Sequence, residues 1–531
     1  MVKFIDSKEA AFLIKNNQVV AVSGFAGLSV PEELIKSLEE RYENSKTPKN
    51  LTLMFAAAQG DGNTKGLNHL AHNGLVKKVI GGHFNLAPKL AKMMNQNIVE
   101  GFNFPQGVMC NIFRDIARKS KFTLSRIGIG TFVDPRIEGG KVNSITNQDL
   151  VELIKLNGED FLLFHHLNIN AAFIKGSYCD SYGNISLDYE ATYSEAFIIA
   201  QAVKNCGGIV IVQVDRICSG EMKCRSIKIP GIYVDYVVVT SSNNENSQAL
   251  GMKYNSMITA YHDIDGNENI NLDRKNYNIN SPENINIKRN FMSGQKTLNP
   301  RKIIGRRAAC ELKKGDIVNV GIGIPEEVSK AAEESGMHKY ITLTVEAGPI
   351  GGVAQSGKLF GASLKPQCII DQVNQFDFYD GGGLDTAFLG MAECDKCGNV
   401  NVSKFGNRLA GCGGFIDITQ NTNKIVFCGT FVAKGFEMYM INGKVKIINN
   451  NRTIKFKKMV NQITFNGSIA SDLGKDVIYV TERAVFKLLK GRLYLIEKAP
   501  GVDIQKDIID LMDFEPVIDK NIKTMDQNLF V

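Results

Sequence analysis

Glu346 is the residue in this sequence best placed to do covalent chemistry. The run Ile341-Thr342-Leu343-Thr344-Val345 before it is β-branched and apolar enough for a buried strand. Gly348-Pro349-Ile350-Gly351-Gly352 after it can only be a turn or loop. A carboxylate at that junction sits at the carboxyl edge of a sheet, where open α/β folds bind ligands. On spacing alone, the plainer reading is a strand-end glutamate facing solvent. A second candidate, Gly321-Ile322-Gly323-Ile324-Pro325, joins a strand to a helix and offers backbone N–H groups to a phosphate. It does not continue as a dinucleotide fold would, because Glu326 holds the place of the third glycine. Cys394 and Cys397 form the only CxxC, and the seven histidines, including His165-His166, show no zinc-like spacing. The pair reads as turn residues, with zinc or redox chemistry the minor alternative, so no metal is expected.

The elements that must position these residues occur twice. Residues 18–22 form a short buried strand, Gly24 and Gly27 open a turn, and 32–40 form a helix. Pro31 suits the first helical turn, and Glu32 and Glu33 complement the positive end of the helix dipole. Residues 316–328 repeat the arrangement, down to Pro325-Glu326-Glu327. A second set of identities is firmer. Ala172-Phe173, Cys179-Asp180 and Gly183-Asn184 recur as Ala387-Phe388, Cys394-Asp395 and Gly398-Asn399, each 215 positions later (387 − 172 = 394 − 179 = 398 − 183). A fixed offset over several identities marks an internal duplication. The Pro31 to Pro325 offset is 294, so the first copy carries about 79 further residues (294 − 215), assigned to a region that includes Phe104-Pro105-Gln106-Gly107-Val108 and 128–135. The expected fold is α/β: two related open α/β domains, residues 1–240 and 299–531, with the active site in the cleft between them. Residues 241–298, rich in Asn, Asp, Glu and Lys, read as a polar linker crossing the surface.

With 531 residues the chain exceeds one ordinary hydrophobic core. It is 44% hydrophobic and 22% charged, which fits a soluble globular protein. The net charge of +7 comes from 62 basic and 55 acidic residues without the clustering and aromatic interleaving of a nucleic-acid binder. A phosphate-bearing small molecule suits it better. The first residues carry acidic side chains and no long apolar core, and no later run is long enough to span a bilayer, so no signal peptide and no membrane partner are expected. Eleven scattered cysteines fit reduced thiols in a cytoplasmic enzyme.

Taken together, these residues resemble the family I coenzyme A transferases, nearest to the single-chain propionate and acetate CoA-transferase type. The motifs are Ser23-Gly24-Phe25 through Pro31, Pro105-Gln106-Gly107-Val108, Gly130-Thr131-Phe132-Val133-Asp134-Pro135 and the Glu346 stretch. Further on come Gln375-Phe376-Asp377-Phe378-Tyr379-Asp380-Gly381-Gly382-Gly383, Val402-Ser403-Lys404-Phe405-Gly406 and Gly411-Cys412-Gly413-Gly414-Phe415. The family prefers glycine where this chain has Ser23 and Ser29, a departure that falls in the half opposite the nucleophile. The resemblance implies fused equivalents of two subunits and a glutamyl-CoA thioester on Glu346. It also implies that Gln106 and the Gly413-Gly414 pair face the thioester oxygen, with Gly414 supplying a backbone N–H. Coenzyme A, as acyl-CoA substrate, is then assigned to Gly321, Ile322, Gly323, Ile324, Pro325 and Gly413. No tightly bound cofactor is implied. Partners would be acyl-CoA and short-chain carboxylic acids, as in short-chain fatty-acid or ketone-body metabolism, and the enzyme would be a homo-oligomer, dimer or tetramer. Without the resemblance, Gln106 reads as a loop-surface amide and Gly413-Gly414 as a tight turn.

A carboxylate attacks an acyl-CoA only where its hydration is stripped and replaced by fixed dipoles. The glycines after Glu346 are expected to let backbone approach the substrate and to leave a small pocket. Three functions compete: a ping-pong CoA-transferase, an acyl-CoA hydrolase on the same site, and a non-catalytic acyl-CoA-binding protein. A requirement for a carboxylate acceptor separates the first two.

Overall fold

The computed structural model describes residues 2–241, 246–259, 296–297, 299–433, 435–448 and 453–530. Most of the stretch read as a linker, including 260–295, lies outside the described residues. The first half contributes β1 (Lys3–Ile5), β2 (Val19–Val22), α1 (Glu32–Ser45), β3 (Leu51–Phe55), β4 (Val76–Gly81), β5 (Glu100–Asn103), α2 (Gln106–Ala117), β6 (Ala171–Lys175), α3 (Ala196–Asn205), β7 (Ile209–Val214) and β8 (Tyr236–Val239). These eight strands form one sheet in the order β1-β8-β7-β6-β2-β3-β4-β5, with every pair parallel. A parallel sheet is covered on both faces, which is why its strands are short apolar runs rather than alternating ones; all five residues of β6 are buried.

The second half contributes β9 (Ile317–Val320), α4 (Glu326–Glu334), β10 (Thr342–Thr344), β11 (Pro349–Ile350), β12 (Cys368–Ile369), α5 (Gln372–Asp380), β13 (Thr386–Gly390), α6 (Phe415–Asn421) and β14 (Lys424–Cys428). It ends with β15 (Asp476–Val480), β16 (Ala484–Leu489), β17 (Arg492–Lys498) and β18 (Val517–Thr524). Its ten-stranded sheet runs β12-β11-β10-β9-β13-β14-β15-β16-β17-β18. The five strands β15-β14-β13-β9-β10 are parallel and match β8-β7-β6-β2-β3 in order. Registers match as well. Val22 pairs with Phe173 and Phe173 with Ile211, while Val320 pairs with Phe388 and Phe388 with Val426. The Asp-Gly-Asn turns repeat atom for atom. Asp180 Oδ1 accepts from the Tyr182 and Asn184 N–H groups, and Asp395 Oδ1 accepts from those of Cys397 and Asn399. Cys397 is therefore a turn residue, as its sequence context suggests.

Two expectations need correction. Helix α2, which opens at Gln106, is not surplus in the first copy, because α5, which opens at Gln372, is its counterpart. Much of the surplus is instead a three-stranded antiparallel sheet of Phe122–Ser125, Val151–Leu156 and Glu159–His165. The described part of the linker does not simply cross the surface. The Leu250 N–H donates to Gly27 O at 2.8 Å, and Ala249 and Ile258 are buried with Leu28, Ala191 and Ala362. Helices α2, α3, α5 and α6 pack where the halves meet. Among the described residues no helix is long and apolar enough to cross a membrane.

Candidate active site

Glu346 lies two residues beyond β10, at the carboxyl edge of the second sheet and on the boundary between the halves. A tight turn sets its backbone: the Val345 N–H donates to Pro349 O and the Gly348 N–H to Val345 O, both at 2.9 Å. The first half grips the same turn, because Thr192 Oγ1 donates to Ala347 O. Below it, Tyr379 Oη donates to Thr344 Oγ1 at 3.0 Å, which fixes the strand end. The Glu346 side chain keeps partial exposure, yet burial alone pushes its carboxyl up to about 7. Among the described residues no cation or hydrogen bond offsets that burial, so the ion is under-solvated.

The structure brings Gln106, Gly413 and Gly414 to this carboxylate. An added Cβ on Gly414 would stand 2.4 Å from Glu346 Oε2, so the carboxylate lies directly against that glycine. Gly414 caps α6, and its N–H donates to no group among the described residues. Gln106 opens α2 from the other half; its own N–H donates to Gly413 O at 2.9 Å. The Gln106 side chain is 1% exposed, and neither its Oε1 nor its Nε2 has a partner among the described residues. A buried amide left unpaired costs about 1–3 kcal/mol, so its lack of a protein partner calls for an explanation. It is not a loop-surface amide. Gly107 beside it admits α6, since a Cβ there would meet Asp417 Oδ1 at 2.5 Å.

A family model described as Coenzyme A transferase matches residues 5–240. The caffeate CoA-transferase of Acetobacterium woodii is 41% identical over an alignment that covers 100% of this chain and 98% of that protein. The chain belongs to the coenzyme A transferase family. The acetate CoA-transferase YdiF of Escherichia coli is 39% identical, over 100% of this chain and 95% of its own. A crystal structure of the E. coli acyl-CoA transferase YdiF, described as a thioester complex with CoA, matches at a TM-score of 0.89 and 38% identity, covering 100% of this chain and 96% of that one.

In this CoA-transferase the run from Gly321 to Pro325 leaves β9 beside the strand that leads to Glu346, since Asn319 pairs with Thr344. Ile322 is 54% exposed and α4 starts just after Pro325, so the loop's backbone faces outward at the same sheet edge as Glu346. The glycines after Glu346 do not open room for substrate. A Cβ on Gly348 would meet Ile370 O at 2.0 Å and one on Gly352 would meet Leu364 O at 2.2 Å, so these glycines serve close backbone packing. Apolar contacts instead flank Glu346: Val345 and Ala347 cluster with Phe25, Ala57 and Phe360. His83 also reaches the site, and nothing in its sequence context announced it.

Pseudo-symmetry places a counterpart of this arrangement in the other half. The Gln372 N–H donates to Ser194 O at 3.0 Å, mirroring Gln106 and Gly413. Ser194 and Gly413 share a left-handed backbone, φ 49° and 54°, and Glu195 and Gly414 cap the helices that follow. Strand register puts Ala56 where the second half has Glu346. The mirrored cradle thus has no carboxylate at that place, and Glu195 stands where the second half has Gly414. Glu195 is 1% exposed, and burial, offset only in part by backbone N–H groups that include those of Gly24 and Ala56, pushes its carboxyl up to about 8. Its folded value lies above the ordinary 4.5, so the stability it allows is full below about 4.5 and is lost as pH rises toward 8. Glu195→Gln, which cannot ionise, is expected to remove that loss and to stabilise the protein by up to roughly 3 kcal/mol at pH 7. Urea unfolding of both proteins at pH 5 and pH 8 checks it: the gap must widen with pH.

Proposed function

We propose that this chain is a ping-pong transferase that moves CoA between short-chain acyl-CoA and free carboxylic acids through a glutamyl-CoA thioester on Glu346. The observation that carries the reading is the under-solvated Glu346 carboxylate lying against Gly414, beside a buried and unpaired Gln106 amide from the opposite half. A Glu346 oxygen bonds to the acyl carbonyl carbon, the C–S bond breaks, and the products are a mixed anhydride and CoA thiolate. The thiolate then bonds to the Glu346 carbonyl carbon, the anhydride C–O bond breaks, and the first acid leaves as its carboxylate. The acceptor acid reverses both steps. In the thioester-forming step negative charge gathers on the Glu346 oxygen, where the Gly414 N–H and the Gln106 Nε2 amide can donate to it.

The loop from Gly321 to Pro325, with Gly413 behind the carboxylate, is assigned to the CoA arm. Relatives named for acetate and for caffeate span small and large acids. The proposed acyl group is acetate- or propionate-sized, in line with the relative named for acetate. The resemblance supports a cytoplasmic homo-oligomer, dimer or tetramer.

The test is intact-protein mass after incubation with acetyl-CoA and no acceptor, followed by borohydride reduction and peptide mapping. A CoA-sized adduct that borohydride removes, mapped to the Glu346 peptide, is the expected result. Acetyl-CoA hydrolysed without an adduct, or bound and untouched, would overturn it.

A further inference from the structure

The reaction just described passes through two tetrahedral centres, on two different carbons. In one, charge gathers on an oxygen of Glu346; in the other, on an oxygen of the exchanged acid. Gly414 lies against Glu346 and Gln106 against the adjoining Gly413, and the proposed function gives both to the first centre. The second centre is a bond further out and needs its own donor, because an unstabilised oxyanion forfeits about 2.7–4 kcal/mol of transition-state binding.

His83 stands beside the same dipeptide. It follows β4, and its backbone is clamped to the second half on both sides: the Gly413 N–H donates to Gly82 O and the Phe84 N–H donates to Ala410 O, each at 2.7 Å. The Ala58 N–H donates to His83 O at 3.1 Å. A Cβ on Gly413 would lie 3.7 Å from Gln106 Oε1 and 3.9 Å from both Cβ and Cδ2 of His83. His83, Gln106 and Glu346 therefore converge on the single dipeptide Gly413-Gly414. The imidazole has no hydrogen-bond partner among the described residues and is only partly enclosed.

We propose that His83 is the donor for the acid's own oxygen, and so a further catalytic residue of the transfer reaction. Its ring N–H holds the non-attacking oxygen of the incoming carboxylate while the other oxygen bonds to the Glu346 thioester carbon and the C–S bond to CoA breaks. That held oxygen is the one that carries the charge when thiolate then attacks the anhydride, so one donor serves both steps. Burial, aided by Arg408, pushes the imidazole down to about 4, which keeps it neutral near pH 7. A neutral ring donates one hydrogen bond without drawing the charge out of the carboxylate that must attack.

The inference rests on Glu346 as the covalent carrier, and the test separates the two. Wild type, His83→Phe, His83→Asn and His83→Gln are each loaded to completion with acetyl-CoA and freed of small molecules. The adduct is then discharged with acetate or, separately, with hydroxylamine, a neutral nucleophile that attacks the Glu346 thioester carbon and brings no carboxylate oxygen to hold. The expected result for His83→Phe is acetate discharge about 100-fold slower with hydroxylamine discharge at the wild-type rate. One of the two amide variants should recover part of the acetate rate, because it keeps an N–H near a ring nitrogen. Acetate discharge at the wild-type rate in all three variants would overturn the proposal, and so would equal slowing with both nucleophiles, which is what a merely structural role gives. If wild type forms no adduct at all, it is the Glu346 reading that fails.

Discussion

Glu346→Gln is expected to form no CoA adduct and to lower CoA transfer by about four orders of magnitude or more, as removal of a covalent nucleophile does. Glutamine keeps the size and reach of the side chain, so the contact with Gly414 and the turn from Val345 to Gly348 are left in place. What it removes is an ion that the protein leaves without a single hydrogen bond among the described residues. The same feature fixes the sign of the pH dependence. Burial raises the Glu346 carboxyl to about 7, and only its ionised form attacks. The rate of adduct formation from acetyl-CoA should rise with pH and reach half its plateau near 7, with about a tenth of the plateau at pH 6. Stability runs the other way. Relative to the ordinary 4.5, the raised value means that stability is full below about 4.5 and is lost as pH rises through 7. Glu346→Gln should therefore be inactive and, at pH 8, more resistant to urea than wild type. Stopped-flow adduct formation across pH 5.5–8.5, paired with unfolding at the two ends, measures both arms. An inactive variant that is also destabilised would mean that the carboxylate is held by interactions the structure does not show.

The duplicated fold is legible in the sequence because a parallel strand buried on both faces and a turn capped by its own Asp and Asn leave little freedom of residue type. Cys179-Asp180 and Gly183-Asn184 recur after 215 residues because the turns they build are the same. Glu346 is legible as a carboxylate at a strand end, but its partners are not visible from spacing: Gln106 and Gly414 come from opposite halves and are joined only by folding. His83 is silent for the same reason. Its neighbours in space are Gly411 and Gly413, far along the chain, and Gly82-His83 by itself reads as a turn. Glu195 carries no motif at all, and only the matched left-handed residues Ser194 and Gly413 show what it stands in place of. The glycines after Glu346 were visible but pointed the wrong way. A missing Cβ signals close approach, and sequence cannot say whether a substrate or the protein's own backbone, here Ile370 O and Leu364 O, is what approaches.

Gly414→Ala is the second large effect, and it comes from one methyl group. The new Cβ would stand 2.4 Å from Glu346 Oε2 and 2.9 Å from the Phe376 ring. Phe376 is fully buried on α5 and cannot yield without moving the helix packing where the halves meet, so the carboxylate is the group that moves. Restoring ordinary contact takes a shift of about 1 Å, and a misplacement of that size costs on the order of 100-fold in rate. The displaced carboxylate also leaves the free Gly414 N–H, and losing that donor adds a further 100-fold or so. The backbone itself raises no objection, because φ at Gly414 is −82°, a value any residue adopts. Gly413→Ala is the control with the opposite balance. Its Cβ meets nothing nearer than 3.7 Å, but φ is +54°, and placing a side chain there costs about 1–2 kcal/mol. Gly413→Ala should therefore lose stability and keep the adduct, while Gly414→Ala should keep most of its stability and lose adduct formation by about 10,000-fold. Melting temperatures and adduct rates of the pair, measured side by side, decide it: equal adduct rates in the two variants would show that the carboxylate is free to choose another seat and that Gly414 is not what places it.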